Sequence, residues 1–205
     1  MRRVLSKEDW DRVRAAITAA EANTQAEIVC VLARRSSEYG YVPVIWAMGI
    51  ALAMPLPLVL LTGLPASTIY AGQLALFLLL SIALSPMALR MHLVPQPLRR
   101  RHAHERATQQ FLARGLTRTE KHTGVLIYVS MAERYAEVIA DSGVYRHADP
   151  AVWQRTIERL TDGMKAGTPG QALVDAIEIC GRTLAELVPP VPGQVNELPD
   201  RVVEI

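Results

Sequence analysis

The chain has 205 residues and a formal net charge of +2, with 22 Lys and Arg against 20 Asp and Glu. That near-balance excludes the strong basic excess of a nucleic-acid binder. Half of the residues are apolar and only 5% are aromatic, so Leu, Ala, Val and Ile carry the apolar content. A membrane segment set aside, what remains suffices for one modest globular domain.

The N-terminus, Met1-Arg2-Arg3-Val4-Leu5, has no apolar run behind its basic pair, so it does not read as a secretory signal peptide. Ser6 is an N-cap with Asp9 three residues on, close to a capping box, and Leu5 and Trp10 are spaced as a hydrophobic staple. Trp10, Val13, Ile17 and Ala20 then form one helical stripe, ended by Asn23 and Thr24. Residues 26–34, AEIVCVLAR, are short and β-branched and predict a strand.

Two uncharged runs follow, 43–61 and 69–89. Each is about long enough for a helix to cross the ~30 Å hydrocarbon core of a bilayer. The short, uncharged connection between them makes the pair an antiparallel transmembrane hairpin, and Pro55, Pro57 and Pro86 are tolerated there as kinks. Arg34 and Arg35 precede the first run, while Arg90, Arg99, Arg100 and Arg101 follow the second. By the positive-inside rule both termini and the globular part are expected in the cytoplasm, with the loop external. Arg99, Arg100 and Arg101 would also meet anionic lipid headgroups at about 1 kcal/mol per charge.

Beyond the hairpin, Ala103, Ala107, Phe111 and Leu112 mark a helix stopped by Gly115. Residues 123–130 and 135–140 read as two strands joined by a turn. Asp149-Pro150 starts a helix, and Gly167-Thr168-Pro169 stops it and starts another, which ends at Pro189-Pro190. The expected organisation is a discontinuous domain of residues 1–35 and 98–190, a hairpin over 42–94 and a flexible tail over 191–205. No piece buries its apolar face alone, so the domain is expected to be α/β, with a small three-to-four-stranded mixed sheet packed with helices. A crossover through a helix makes strands one and two parallel, with strand three antiparallel.

The sequence resembles the TPM-domain family in Leu5-Ser6, Thr24-x-Ala26-Glu27-Ile28-Val29, Thr123-Gly124-Val125-Leu126-Ile127-Tyr128-Val129-Ser130, Glu133-Arg134-Tyr135-Ala136-Glu137-Val138 and Ile139-Ala140-Asp141-x-Gly143. It looks most like a bacterial membrane-anchored subgroup whose domain is interrupted by a transmembrane hairpin, although Ala26 stands where the family usually has Gly. The resemblance implies an accessory, assembly or stabilising subunit of a larger respiratory or photosynthetic membrane complex, in the bacterial inner membrane. Its alternative implication is a membrane-tethered acid phosphatase dependent on Mg²⁺ or Ca²⁺. No family-wide catalytic signature carries over, so the site must be judged from the residues.

The expected strand order brings Glu27 and Asp141 to one edge of the sheet, with His122 at the start of strand two. Two carboxylates there suit a hard cation, which would polarise a phosphate ester. Each residue has an equally ordinary reading, Glu27 as an edge ion pair and Asp141 as a turn acceptor. His102 and His104, two apart on a helix, point to different sides and do not chelate together. Cys30 and Cys180 lie in no ligand pattern and read as core thiols.

Overall fold

A computed structural model describes residues 4–191 and 201–205. The chain divides into two units, one of residues up to 36 and from 100 onward, the other of residues 37–99.

The first unit opens with helix α1, Lys7–Glu21, where Ser6 and Asp9 complete the capping box. Strand β1, Glu27–Ala33, follows. In the second unit come α2, Tyr41–Ala53, α3, Pro55–Leu61, α4, Ala66–Ala83, and α5, Met87–Leu93. Helix α6, Gln96–Ala113, carries the boundary between units in its first turn. The first unit then continues with β2, Gly124–Ser130, β3, Tyr135–Ala140, the single turn α7, Ser142–Tyr145, α8, Pro150–Lys165, α9, Pro169–Leu187, and β4, Arg201–Glu204.

The sheet order is β3-β2-β1-β4. β1 runs parallel to β2, and β3 pairs antiparallel to β2, as the crossover argument requires. Every residue of β1 and β2 is buried because both faces of the sheet are covered. On one face Ile28, Cys30 and Leu32 meet Val13 and Ile17 of α1, Leu160 of α8 and Leu173, Ile177 and Leu184 of α9. On the other, Val29, Val31, Leu126 and Tyr128 meet Ala107 and Phe111 of α6.

β4 corrects the expected tail. Residues 201–204 pair parallel with β1, Val29 opposite Arg201 and Leu32 opposite Glu204. Val202 reaches one apolar layer, Val203 and Ile205 the other. Four residues give no readable alternation; a ready-made edge on β1 selects them. The rest of the expected tail, 192–200, lies outside the described residues.

In the second unit, two helical stretches are long and apolar enough to cross a membrane: Tyr41–Leu61, with mean hydropathy 2.3, and Ala66–Ala83, with 1.7. Only 11% and 6% of the residues in the apolar 18-residue window of each are buried. The first stretch is interrupted between α2 and α3 because Pro55 has no N–H to give the preceding turn. The second ends at Ala83, short of the expected 89, since Pro86 disfavours a helical residue before it and caps the separate helix α5. α2 packs on α4, with Ala47 and Ala51 buried. Arg90 closes the base of this pair, its Nη1 donating to the Glu38 carbonyl at 3.0 Å and Nη2 to that of Ser85 at 2.8 Å.

Candidate functional site at the N-terminal edge of the parallel strands

Strand pairing builds one edge of the sheet from three segments. Glu27 stands opposite Gly124, so β1 and β2 begin together. The Asp141 N–H donates to the Gly124 carbonyl at 2.9 Å, which brings the end of β3 to the same edge.

His122 precedes β2 with φ +55°. Gly143 explains part of that turn: its N–H donates to the His122 carbonyl at 2.9 Å, and a Cβ at Gly143 would stand 2.3 Å from the Lys121 carbonyl oxygen. Asp141 is the N-cap of α7, and its Oδ1 accepts the Ser142 N–H at 2.6 Å. Its Oδ2 lies 3.1 Å from His122 Nδ1. A carboxylate only accepts, so Nδ1 carries the proton and Nε2 is left as the basic nitrogen. The Asp141 side chain is 14% exposed and that of His122 59%.

The structure therefore joins His122 to Asp141 and sets Glu27 on the neighbouring strand, where it is buried. Both Asp141 oxygens already accept hydrogen bonds. No group of three or more His, Cys, Asp or Glu side chains forms a metal cluster among the described residues. The Mg²⁺ or Ca²⁺ site expected at this edge is thus not gathered as a cluster of protein ligands among the described residues. The chemistry this edge offers is that of a histidine base held by a carboxylate.

The other sequence candidates separate. Arg101 pairs with Glu105 one turn on, Nε to Oε1 2.9 Å, and this hydrogen bond holds the Glu105 carboxyl below its ordinary range. Arg100 is exposed on α6 with no ion-pair partner among the described residues; Arg99 belongs to the second unit. His104 bonds Glu137 on β3, not a shared ion with His102. Burial pushes the Cys180 thiol up to about 12 and the Cys30 thiol higher still, so neither is a nucleophile.

Sequence reasoning missed a network at the opposite end of β2. Ser36 Oγ meets Tyr128 Oη at 2.9 Å and Ser130 Oγ at 3.0 Å, and Ser130 Oγ donates to Glu133 Oε2. Glu133 Oε1 accepts the Ser36 N–H at 2.9 Å. A serine inside an apolar strand, followed three residues later by a glutamate, was the available signal.

Residues 85–183 match the TPM domain family. The match contains His122 and Asp141, while α1 and β1, with Glu27, precede it. The NMR structure of the BA42 protein from the psychrophilic bacterium Bizionia argentinensis is similar with a TM-score of 0.64 at 20% identity, covering 100% of this chain and 98% of that one. At that identity the likeness concerns the fold. No curated protein matches the chain. The TPM match contains β2, β3, α7, α8 and most of α9, and β1 and β4 complete the sheet from outside it.

Proposed function

We propose that this chain is an integral protein of a bacterial inner membrane whose TPM domain serves as an accessory, assembly or stabilising subunit of a larger membrane complex. The observation that carries the reading is the apolar surface of Tyr41–Leu61 and Ala66–Ala83, which the protein leaves almost wholly unburied. Water would penalise such a surface heavily, at about 25 cal/mol per Å² of apolar area; hydrocarbon would not. Arg34, Arg35, Arg90, Arg99, Arg100 and Arg101 flank the pair, and 62–68 carries no charge, which favours cytoplasmic termini and an external loop. Small residues on the pair, among them Gly49, Ala71, Gly72 and Ala75, would let partner helices approach closely.

The test is purification of a tagged copy in mild detergent, with native mass measurement. A stoichiometric membrane complex is expected. A lone small species without companions contradicts the accessory role.

The His122–Asp141 pair supports a second reading, a tethered phosphatase. Asp141 would hold the imidazole so that Nε2 takes a proton from water as its oxygen bonds to phosphorus, while the P–O bond to the ester group breaks and the departing oxygen is protonated by the imidazolium or by solvent. No metal step is invoked. Hydrolysis of an aryl phosphate should be lost in His122→Gln and Asp141→Asn with thermal midpoints retained; unchanged hydrolysis in both would remove this reading.

A further inference from the structure

A second histidine–carboxylate pair lies elsewhere in the TPM domain. His104 Nδ1 is 2.9 Å from Glu137 Oε1 and 3.1 Å from Oε2. The Tyr135 hydroxyl donates to Glu137 Oε2 at 3.0 Å. Glu137 stands opposite Tyr128 in the β2–β3 register, on the face that α6 covers. Glu137 stands four positions before Asp141, roughly 13 Å at the usual rise per residue, so the two pairs are distinct sites.

The arrangement decides which ligand suits it. Both Glu137 oxygens are occupied by donors, so the carboxylate has little left for a cation, and the pair lacks the further oxygen ligands a hard metal needs. What points outward is basic. The His104 side chain is 59% exposed, against 20% for Glu137, so Nε2 is on the solvent side of the bond. Arg100 sits one turn earlier on the same side of α6, exposed and with no ion-pair partner among the described residues. Its charge also acts on the Tyr135 phenol, which burial and Glu137 push well above its ordinary range. Nε2 donates to an anion only when the imidazole carries both protons; in that form an anion would meet the Arg100 guanidinium and the His104 imidazolium together.

We propose that Arg100 and His104, with Glu137 as positioning residue, form a binding site for a phosphate-bearing anion, either a lipid headgroup or a soluble phosphate ester. The site does not rest on hydrolysis at His122 or on membrane complex assembly. Arg100 alone was foreseen as a surface charge; Glu137 and the orientation it imposes on His104 were not.

The experiment uses the full chain in nanodiscs, with the His104 imidazole nitrogens followed by NMR. In discs of neutral lipid, inorganic phosphate is titrated. In discs doped with phosphatidic acid, no phosphate is added. A shift of Nε2 with phosphate, weakened about tenfold in Arg100→Gln as expected for loss of a charge-assisted bond, supports the site, and phosphate binding to His104→Gln, followed by phosphorus NMR of the ligand, should weaken by a similar factor. Dependence on phosphate alone assigns a soluble ester, and the same shift in doped discs alone assigns a headgroup. Glu137→Gln should alter the Nδ1 signal and weaken binding while the thermal midpoint is retained. No Nε2 shift in either disc, or equal binding by the Arg100 and His104 variants, overturns the proposal.

Discussion

Arg34 at the exit of β1 and Glu204 at the end of β4 are 170 residues apart in the chain, yet Nη2 and Oε1 are 2.8 Å apart. The Arg34 Nε donates to the same oxygen at 2.9 Å, and so does the Val4 N–H at 3.2 Å. The Arg34 N–H donates to the Ile205 carbonyl at 2.8 Å, and the Ile205 N–H to that of Leu32 at 3.1 Å. β4 is thereby a working edge of the sheet. Glu204→Gln should cost about 0.5–1 kcal/mol, since Arg34 is partly exposed. Removing 201–205 uncovers β1 and strips Val202 from the core, for about 3 kcal/mol. Urea denaturation of the full chain in detergent checks both; equal stability of the truncated protein would contradict the role of β4.

Gly143→Ala should distort the turn that holds His122 beside Asp141. The added methyl would meet the carbonyls of Lys121 and His122 at 2.3 and 2.7 Å, and backbone cannot move aside as a side chain can. A loss of about 2–3 kcal/mol is expected from overpacking, with a change in the His122 imidazole signals. An unchanged thermal midpoint and unchanged His122 signals would contradict that geometry.

The thiols give a pH dependence. Burial raises the Cys180 thiol from an ordinary 9.0 to about 12, and raises Cys30 as well. Folding therefore favours the protonated form. That contribution is complete below pH 9 and falls as pH climbs towards 12, because only the unfolded chain then releases the proton readily. Folded protein at pH 8 should resist iodoacetamide, with both thiols reacting once denaturant is added. Rapid labelling of the native state would contradict their burial.

Arg90 ties residue 38, ahead of α2, to residue 85, beyond α4. Arg90→Ala should loosen the base of the helical pair by about 1–3 kcal/mol, the usual worth of hydrogen bonds from a charged donor. Lys carries one nitrogen in place of a fork and should rescue only part of it. Proteolysis of the reconstituted protein near Glu38 and Ser85 should quicken in the order Arg, Lys, Ala. Equal rates would show that the two bonds carry no weight.

How far the sequence was legible depended on how local the determining chemistry was. Ser6 with Asp9, and Asp149 with Pro150, announce helix starts within a few residues, and both caps form as expected. β1 and β2 were readable because burial on both faces makes them continuously apolar. β4 was not, since its strand character comes from pairing with β1 across the whole chain. That His122 and Asp141 share one edge followed from strand order, though their hydrogen bond did not, and the His104–Glu137 contact needed the placement of α6 over β3, which no spacing encodes. Likewise the run 69–89 is uncharged throughout in sequence, and only backbone restriction at Pro86 shows where the helix stops.

We propose that Tyr41–Leu61 and Ala66–Ala83 cross a membrane and leave the sheet-containing unit on the side of both termini. Gly63, between them, is open to substitution, with nothing within 4 Å of an added Cβ. Gly63→Cys would be labelled with a membrane-impermeant maleimide in intact cells whose outer barrier has been opened, and Gln109→Cys on exposed α6 in the same way. The account predicts immediate labelling at Gly63 and labelling at Gln109 only after the inner membrane is permeabilised, with the native cysteines silent. Labelling of Gln109 in intact cells, or of neither site until permeabilisation, would contradict it.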